Sequence, residues 1–276
     1  MMFSNCKAFL KLLLVFVWLG IWYPPVWIAL KLQKYAARDR MAMIFNCGLL
    51  KIIGIKLKVT GAPAPDRPLL LVSNHISYLD IPVIASVNNV CFTPKSEIAD
   101  WPVIGGIAQL SGAVFIDRRK EKVVEVQQAL KEALLSKRIL CLFPEATTGN
   151  GLHMQPFKSA LFSIAEEEAL TAQPACILYT HVGGLPMDSG QWPNVAWYGD
   201  MVLAPHAWQL FKLGPIKAEL HFLPPVKPGE YKDRKKLSAH CHKAILEQIE
   251  AIRNANQTAP TCKKPGFNPR FLRVRK

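Results

Sequence analysis

His75 and Asp80 lie five residues apart in Ser73-Asn74-His75-Ile76-Ser77-Tyr78-Leu79-Asp80, directly after the apolar run Arg67-Pro68-Leu69-Leu70-Leu71-Val72. A histidine that leaves a strand end in a polar loop is well placed to move a proton. A carboxylate within reach of one imidazole nitrogen fixes the tautomer and leaves the other nitrogen as a base. The competing reading makes Asp80 a plain helix N-cap and His75 a satisfied polar residue. Further candidates stand at the ends of other apolar runs. Phe115-Ile116-Asp117-Arg118 closes one, Phe143-Pro144-Glu145-Ala146-Thr147-Thr148-Gly149 closes another in a glycine-containing turn, and Pro174 opens Ala175-Cys176-Ile177-Leu178-Tyr179. A parallel sheet would gather such strand exits on one edge, where α/β proteins place their sites.

The order N-H-x4-D, F-I-D-R, F-P-E-x-T and a proline-led apolar strand resembles the glycerolipid acyltransferases over about residues 55–225, and Phe157-Lys158-Ser159 after the third motif adds to it. The style is that of bacterial 1-acylglycerol-3-phosphate acyltransferases. The resemblance implies an α/β sheet with an N-terminal two-helix membrane element. It implies that His75 takes the proton of an acceptor hydroxyl as that hydroxyl attacks a thioester, with Asp80 orienting the imidazole. It assigns Arg118 to an anionic headgroup, because a guanidinium suits phosphate. Glu145 and Thr147 would shape the acceptor pocket, and Lys95 and Lys158 are further candidates for headgroup or donor phosphates. Without the resemblance, Arg118 reads as a surface charge in the run Asp117-Arg118-Arg119-Lys120-Glu121-Lys122. The implied reaction moves a fatty acyl group from acyl carrier protein or coenzyme A to 1-acylglycerol-3-phosphate, giving phosphatidic acid. Two positions depart from the family pattern: Ala146 stands where it has glycine, and Thr148 where arginine is frequent. A missing guanidinium leaves room for another lyso-lipid acceptor, such as lyso-ornithine lipid or a lysophospholipid.

The elements that must hold these residues are legible as pattern. Apolar strand-like runs fall at 55–60, 68–73, 90–93, 113–116, 139–143, 175–180, 195–198 and 217–223, with helix-like stretches between several of them at 79–87, 96–109, 121–136, 158–169 and 206–212. A last helix is expected at 236–253, with Leu237, Cys241, Ile245, Ile249 and Ile252 on one stripe. This alternation predicts an α/β fold, a mostly parallel sheet flanked by helices. Three parts are expected: a membrane-associated helical segment over 1–53, a catalytic body over 54–256 and a basic tail over 257–276.

Residues 12–30 carry no charge, a length that can span a hydrocarbon core. Pro24-Pro25 predicts a kink or break there, so a re-entrant segment is the alternative. Residues 35–53 read as a second helix, either an amphipathic partner on the membrane or a core helix. The net charge of +14 is confined to the ends. Residues 1–65 hold nine Lys/Arg against Asp39, and residues 263–276 hold six with no acid. Basic ends beside an apolar segment suit an anionic membrane surface. No zinc-finger spacing, RNA-binding motif or basic helix argues for nucleic acid. The basic residues after the apolar segment place the body on the cytoplasmic side of a bacterial-type inner membrane. Seven cysteines without a C-x-x-C pair read as reduced thiols. His240-Cys241-His242 reads as helix surface and core rather than a metal site. No G-x-S-x-G elbow, phosphate-binding glycine loop or H-E-x-x-H motif is present, so no metal or bound cofactor is expected and the acyl carrier is a cosubstrate. A serine hydrolase using Ser73 or Ser77, and a non-catalytic basic membrane adaptor, are the competing functions.

Overall fold

A computed structural model describes residues 2–101, 103–116, 128, 131, 139–167, 170–231 and 233–258. The chain opens with two packed helices, α1 (Met2–Lys31) and α2 (Tyr35–Ile53). Then follow β1 (Ile55–Thr60), β2 (Leu69–Ser73), α3 (Asp80–Ala85), β3 (Val90–Phe92), α4 (Ile104–Leu110) and β4 (Ile139–Leu142). The second half holds α5 (Ser163–Glu167), β5 (Thr171–Val182), β6 (Leu185–Pro186), α6 (Leu203–Lys212), β7 (Ile216–Phe222) and α7 (Arg234–Thr258).

The sheet order is β1-β7-β5-β2-β4-β3, with β6 paired to β5. Strands β5, β2, β4 and β3 run parallel to one another, β1 and β7 are parallel to each other, and β5 meets β7 antiparallel. The central strands explain why the pattern was readable. Leu69 to Val72 of β2 and Ile139 to Leu142 of β4 are buried on both faces, so they are unbroken apolar runs, as parallel strands covered by helices must be. Leu237, Cys241, Ile245, Ile249 and Ile252 of α7 are all buried, and α7 packs on β5.

Helix α1 runs without interruption through Pro24 and Pro25, where a break was expected. The two prolines deprive the carbonyls of Gly20 and Ile21 of their usual donors, and both those residues lie on the exposed flank. On the opposite flank Ala8, Leu12, Val15, Val26 and Ala29 form a stripe packed against the protein, which holds the axis. Trp18 Nε1–H donates to Phe45 O at 2.9 Å and tethers α1 to α2. Lys7 Nζ donates to Leu213 O at 2.7 Å, so α1 also lies along the body near the end of α6.

Four other expectations are corrected. Residues 195–198 form no strand: Val195 and Ala196 are buried in an irregular segment after the short helical turn Trp192–Asn194. Residues 113–116 form no strand of their own: Val114 N–H donates to Phe92 O of β3 at 2.9 Å, and Ile116 bridges to Lys95 just beyond it. The stretch 96–109 divides into a 3-10 turn at Ser96–Asp100 and α4, because Trp101 precedes a proline and takes extended backbone at φ −72°, ψ 129°. The stretch 158–169 divides similarly, into a 3-10 turn at Ser159–Phe162 and α5. Of the helix expected at 121–136 only residues 128 and 131 are described, both helical, and the tail from 259 onward falls outside the described residues.

Candidate active site

Strand β2 ends at Ser73, and the seven residues after it hold both members of the candidate His75–Asp80 pair. Asn74 extends the pairing with β5 as the chain leaves β2: its Nδ2 donates to Ile177 O at 2.9 Å, and its Oδ1 accepts from Ile177 N at 2.9 Å. The next backbone groups are also held. His75 N–H donates to Glu145 Oε1 at 2.7 Å, His75 O accepts from Gly149 N at 2.8 Å, and Ile76 O accepts from Trp197 N at 3.0 Å. A loop with its backbone groups paired in this way does not have to reorganise during a reaction.

Asp80 opens α3 and is fully buried. It does not cap the helix in the manner of the competing reading, since the N-cap is Leu79. Its carboxylate reaches back into the loop instead. Oδ2 accepts from Ile76 N at 2.7 Å, from Ser77 N at 3.0 Å and from His75 Nδ1–H at 2.8 Å. With Nδ1 engaged as donor, Nε2 of His75 is left with the lone pair of a base. The imidazole is also fixed in plane. It stacks on Phe143 at a centroid distance of 4.0 Å and 15°, and Phe143 stacks in turn on Phe92 at 6.1 Å and 9°. The ring keeps 18% of its surface open, enough to meet a substrate.

Glu145 is buried, and both its oxygens are used by backbone N–H groups: His75 at one and Gln155 at the other, each at 2.7 Å. Burial pushes its carboxyl up to about 7 against the lowering effect of those two hydrogen bonds. This carboxylate thus ties the third motif to the histidine loop, and it also borders the cavity beside His75. Ala146 follows in the left-handed region at φ 59°, the conformation for which the family's glycine is suited. Thr147 is exposed beside it. Lys95 and Lys158 are exposed at the same edge of the sheet, where Lys158 N–H donates to Pro144 O at 2.9 Å. Arg118 lies outside the described residues. The chain reaches it from Ile116, which is bonded through N to Pro94 O and through O to Ser96 N.

Three contributors escaped the sequence reading. Asn74 and Phe143 were quoted there without a role, and Tyr179 was read as part of an apolar strand. Tyr179 is fully buried in β5, and its hydroxyl donates to Asp80 Oδ1 at 2.7 Å. A tyrosine that interrupts a buried aliphatic strand was the available signal, because a buried phenol needs a partner.

The serine candidates are placed differently. Ser73 and Ser77 are both fully buried; the Ser73 hydroxyl donates to Asn74 O, and Ser77 Oγ accepts from Leu79 N. Neither oxygen is presented to a substrate. Beside the histidine loop lies a cavity of about 290 Å³ that includes His75, Glu145, Gly149 and Leu178 together with Glu250 and Arg253 of α7. Arg253 Nη2 donates to Gly151 O at 2.6 Å, which fastens α7 to the loop beyond the third motif.

The known proteins that this chain resembles include lipid acyltransferases. Residues 56–178 match the family model described as Acyltransferase. The chain is 37% identical over 223 residues to the lyso-ornithine lipid O-acyltransferase of Brucella abortus, a match covering 78% of this chain and 83% of that protein. It is 31% identical over 219 residues to the 1-acyl-sn-glycerol-3-phosphate acyltransferase of Neisseria gonorrhoeae, covering 78% of this chain and 82% of that one. The crystal structure of the 1-acyl-sn-glycerophosphate acyltransferase PlsC from Thermotoga maritima has the same fold, with a TM-score of 0.69 at 16% identity over 91% of this chain and 95% of the other.

Proposed function

This chain belongs to the acyltransferase family that includes lyso-ornithine lipid and 1-acylglycerol-3-phosphate acyltransferases, and we propose that it transfers a fatty acyl group from an acyl carrier protein or coenzyme A thioester to the free hydroxyl of a lyso-lipid. The observation that carries this reading is the 2.8 Å bond between His75 Nδ1 and a fully buried Asp80. His75 Nε2 takes the hydroxyl proton as the acceptor oxygen attacks the thioester carbonyl. The imidazolium is stabilised by Asp80, the C–S bond breaks, and the proton leaves with the thiol. The attack is direct, with no acyl-enzyme, which agrees with the burial of Ser73 and Ser77.

For the acceptor we favour a headgroup other than a phosphate monoester, with lyso-ornithine lipid as the leading candidate. Thr148 occupies the position where the phosphate-using pattern often has arginine, and the relative at 37% identity is named for that lipid. The rim of the cavity beside His75 presents Glu250 as well as Arg253, a pair of opposite charges that suits a zwitterion better than a dianion. The second reading, 1-acylglycerol-3-phosphate as acceptor, rests on Arg118 and on the Neisseria relative.

The exposed apolar flank of α1, which includes Phe9, Leu13, Phe16, Val17, Ile21 and Trp27, supports membrane association. Because α1 touches the body both at Lys7 and at Tyr23, which approaches Gly106, we propose that it lies within one leaflet rather than crossing. The basic residues that follow it favour the cytoplasmic side.

A panel of lyso-lipid acceptors with one labelled acyl donor, read by mass spectrometry of the lipid product, tests the reaction. His75→Ala and Asp80→Asn should each lower the rate by about 10²–10⁴ while keeping the fold, the usual worth of a positioned base. Full activity in either variant would end the acyl-transfer reading.

A further inference from the structure

We propose that Tyr179 is a positioning residue of the His75–Asp80 pair: its hydroxyl, held on the neighbouring strand, fixes the rotation of the Asp80 carboxylate and sets how strongly that carboxylate supports the imidazolium. The inference rests on the acyl-transfer reading above and adds a third member to the site.

The accounting of hydrogen bonds motivates it. Asp80 is sealed from solvent, so water cannot supply partners for its oxygens. Oδ2 already receives three N–H donors from the loop of residues 75–77. Oδ1 is bonded by the Tyr179 hydroxyl at 2.7 Å. Remove that hydroxyl and Oδ1 is a buried acceptor without its donor, free to gain by rotating toward the N–H groups that now aim at Oδ2. Tyr179 is itself fully buried, and burial beside Asp80 holds its phenol well above the ordinary value. It therefore stays a donor across the working pH range. The strand it belongs to is also the one to which Asn74 is clamped, through Ile177 two residues earlier. The carboxylate and the base are thus both referenced to β5.

A donor to the carboxylate also withdraws charge from it. With Tyr179 present, Asp80 stabilises the His75 cation less than a bare carboxylate would. Among the described residues, Glu145 from the turn after β4 acts electrostatically on both members of the pair, Cys141 within β4 acts on Asp80, and Tyr78 acts on Tyr179 itself. None of the three is hydrogen-bonded to the Tyr179 hydroxyl among the described residues.

Tyr179→Phe keeps the ring and deletes only the donor. We expect kcat to fall about tenfold with KM for both substrates within twofold, and the acidic limb of kcat/KM to move up by about 0.5 pH unit. Site-specific 3-fluorotyrosine at 179, a stronger donor of nearly the same shape, should move that limb the other way. It also covers the case in which the phenylalanine variant fails to fold. A purely structural role would lower melting temperature without moving the limb. An active wild type whose two variants keep kcat within twofold and leave the limb in place overturns the assignment to Tyr179 alone. A wild type with no His75-dependent transfer removes the function proposed above, and this inference with it.

Discussion

At the scale of single residues, two side chains of the third motif make separable predictions. The Glu145 carboxyl stands at about 7 in the folded chain against 4.5 ordinarily, because burial outweighs its two backbone hydrogen bonds. A group raised in this way favours the folded state fully below 4.5, and that contribution is lost as the pH climbs to about 7. Glu145→Gln removes the titration. Its melting temperature, compared with wild type in detergent, should trail most near pH 5 and draw closer by pH 8; a constant gap would contradict the buried placement of this carboxyl. Ala146 tests the backbone instead. A left-handed alanine costs about 1–2 kcal/mol, and glycine returns about 0.4–1 kcal/mol of that through the freer unfolded chain. The strain term wins, so Ala146→Gly should stabilise by about 0.5 kcal/mol with little change in kcat, as denaturant titration beside an activity assay would show.

At the scale of elements, the site depends on helices that carry neither His75 nor Asp80. Arg253 reaches from α7 to the carbonyl of Gly151 and so holds the loop whose Gly149 N–H supports His75. The contact between α1 and α2 is tighter still. A β-carbon placed on Gly48 would stand 2.2 Å from Trp18 Cζ2, a distance real side chains do not tolerate. The indole cannot simply swing away, because its Nε1–H is bonded to Phe45 O. Gly48→Ala should therefore cost about 1–3 kcal/mol, the usual penalty of overpacking. Thermal unfolding should show the loss, and residual activity should fall with the folded fraction rather than through KM.

At the scale of the whole molecule, one flank of α1 is spent on the protein and the other is left apolar and open. Ala8, Val26 and Ala29 are buried on the first, whereas Phe9, Phe16 and Trp27 stand out on the second. Lys7 and Lys11 turn inward to the carbonyls of Leu213 and Ile53, so their charges do not interrupt the open flank. If α1 lies in the cytoplasmic leaflet, the exposed Cys6 stays on the inner side. A membrane-impermeant maleimide applied to intact spheroplasts should then leave Cys6 unlabelled, with serine replacing both Cys47, the other exposed thiol among the described residues, and Cys262, which lies outside them. Labelling from outside would mean that α1 crosses the bilayer.

Much of this architecture could be read along the chain, because the physical cause is local in each case. Parallel strands buried on both faces must be unbroken apolar runs, as Leu69 to Val72 and Ile139 to Leu142 are, and α2 follows its 3.6-residue stripe to the predicted ends. The motifs around His75, Asp80 and Glu145 were legible too, since their types and spacing carry the chemistry. What the sequence could not decide was who meets whom across strands. The partners of Glu145 were not legible; only folding brings the amides of His75 and Gln155 to its two oxygens. Tyr179 stands 99 positions from Asp80 in the chain, and its hydroxyl bond exists because β5 pairs with β2. The prolines of α1 show the same division, for a rule about isolated helices predicted a break that packing on one flank overrides. Spacing along the chain determines which groups are available; the sheet order determines which of them share a proton or a carboxylate, because contacts between distant residues depend on packing that no local pattern encodes.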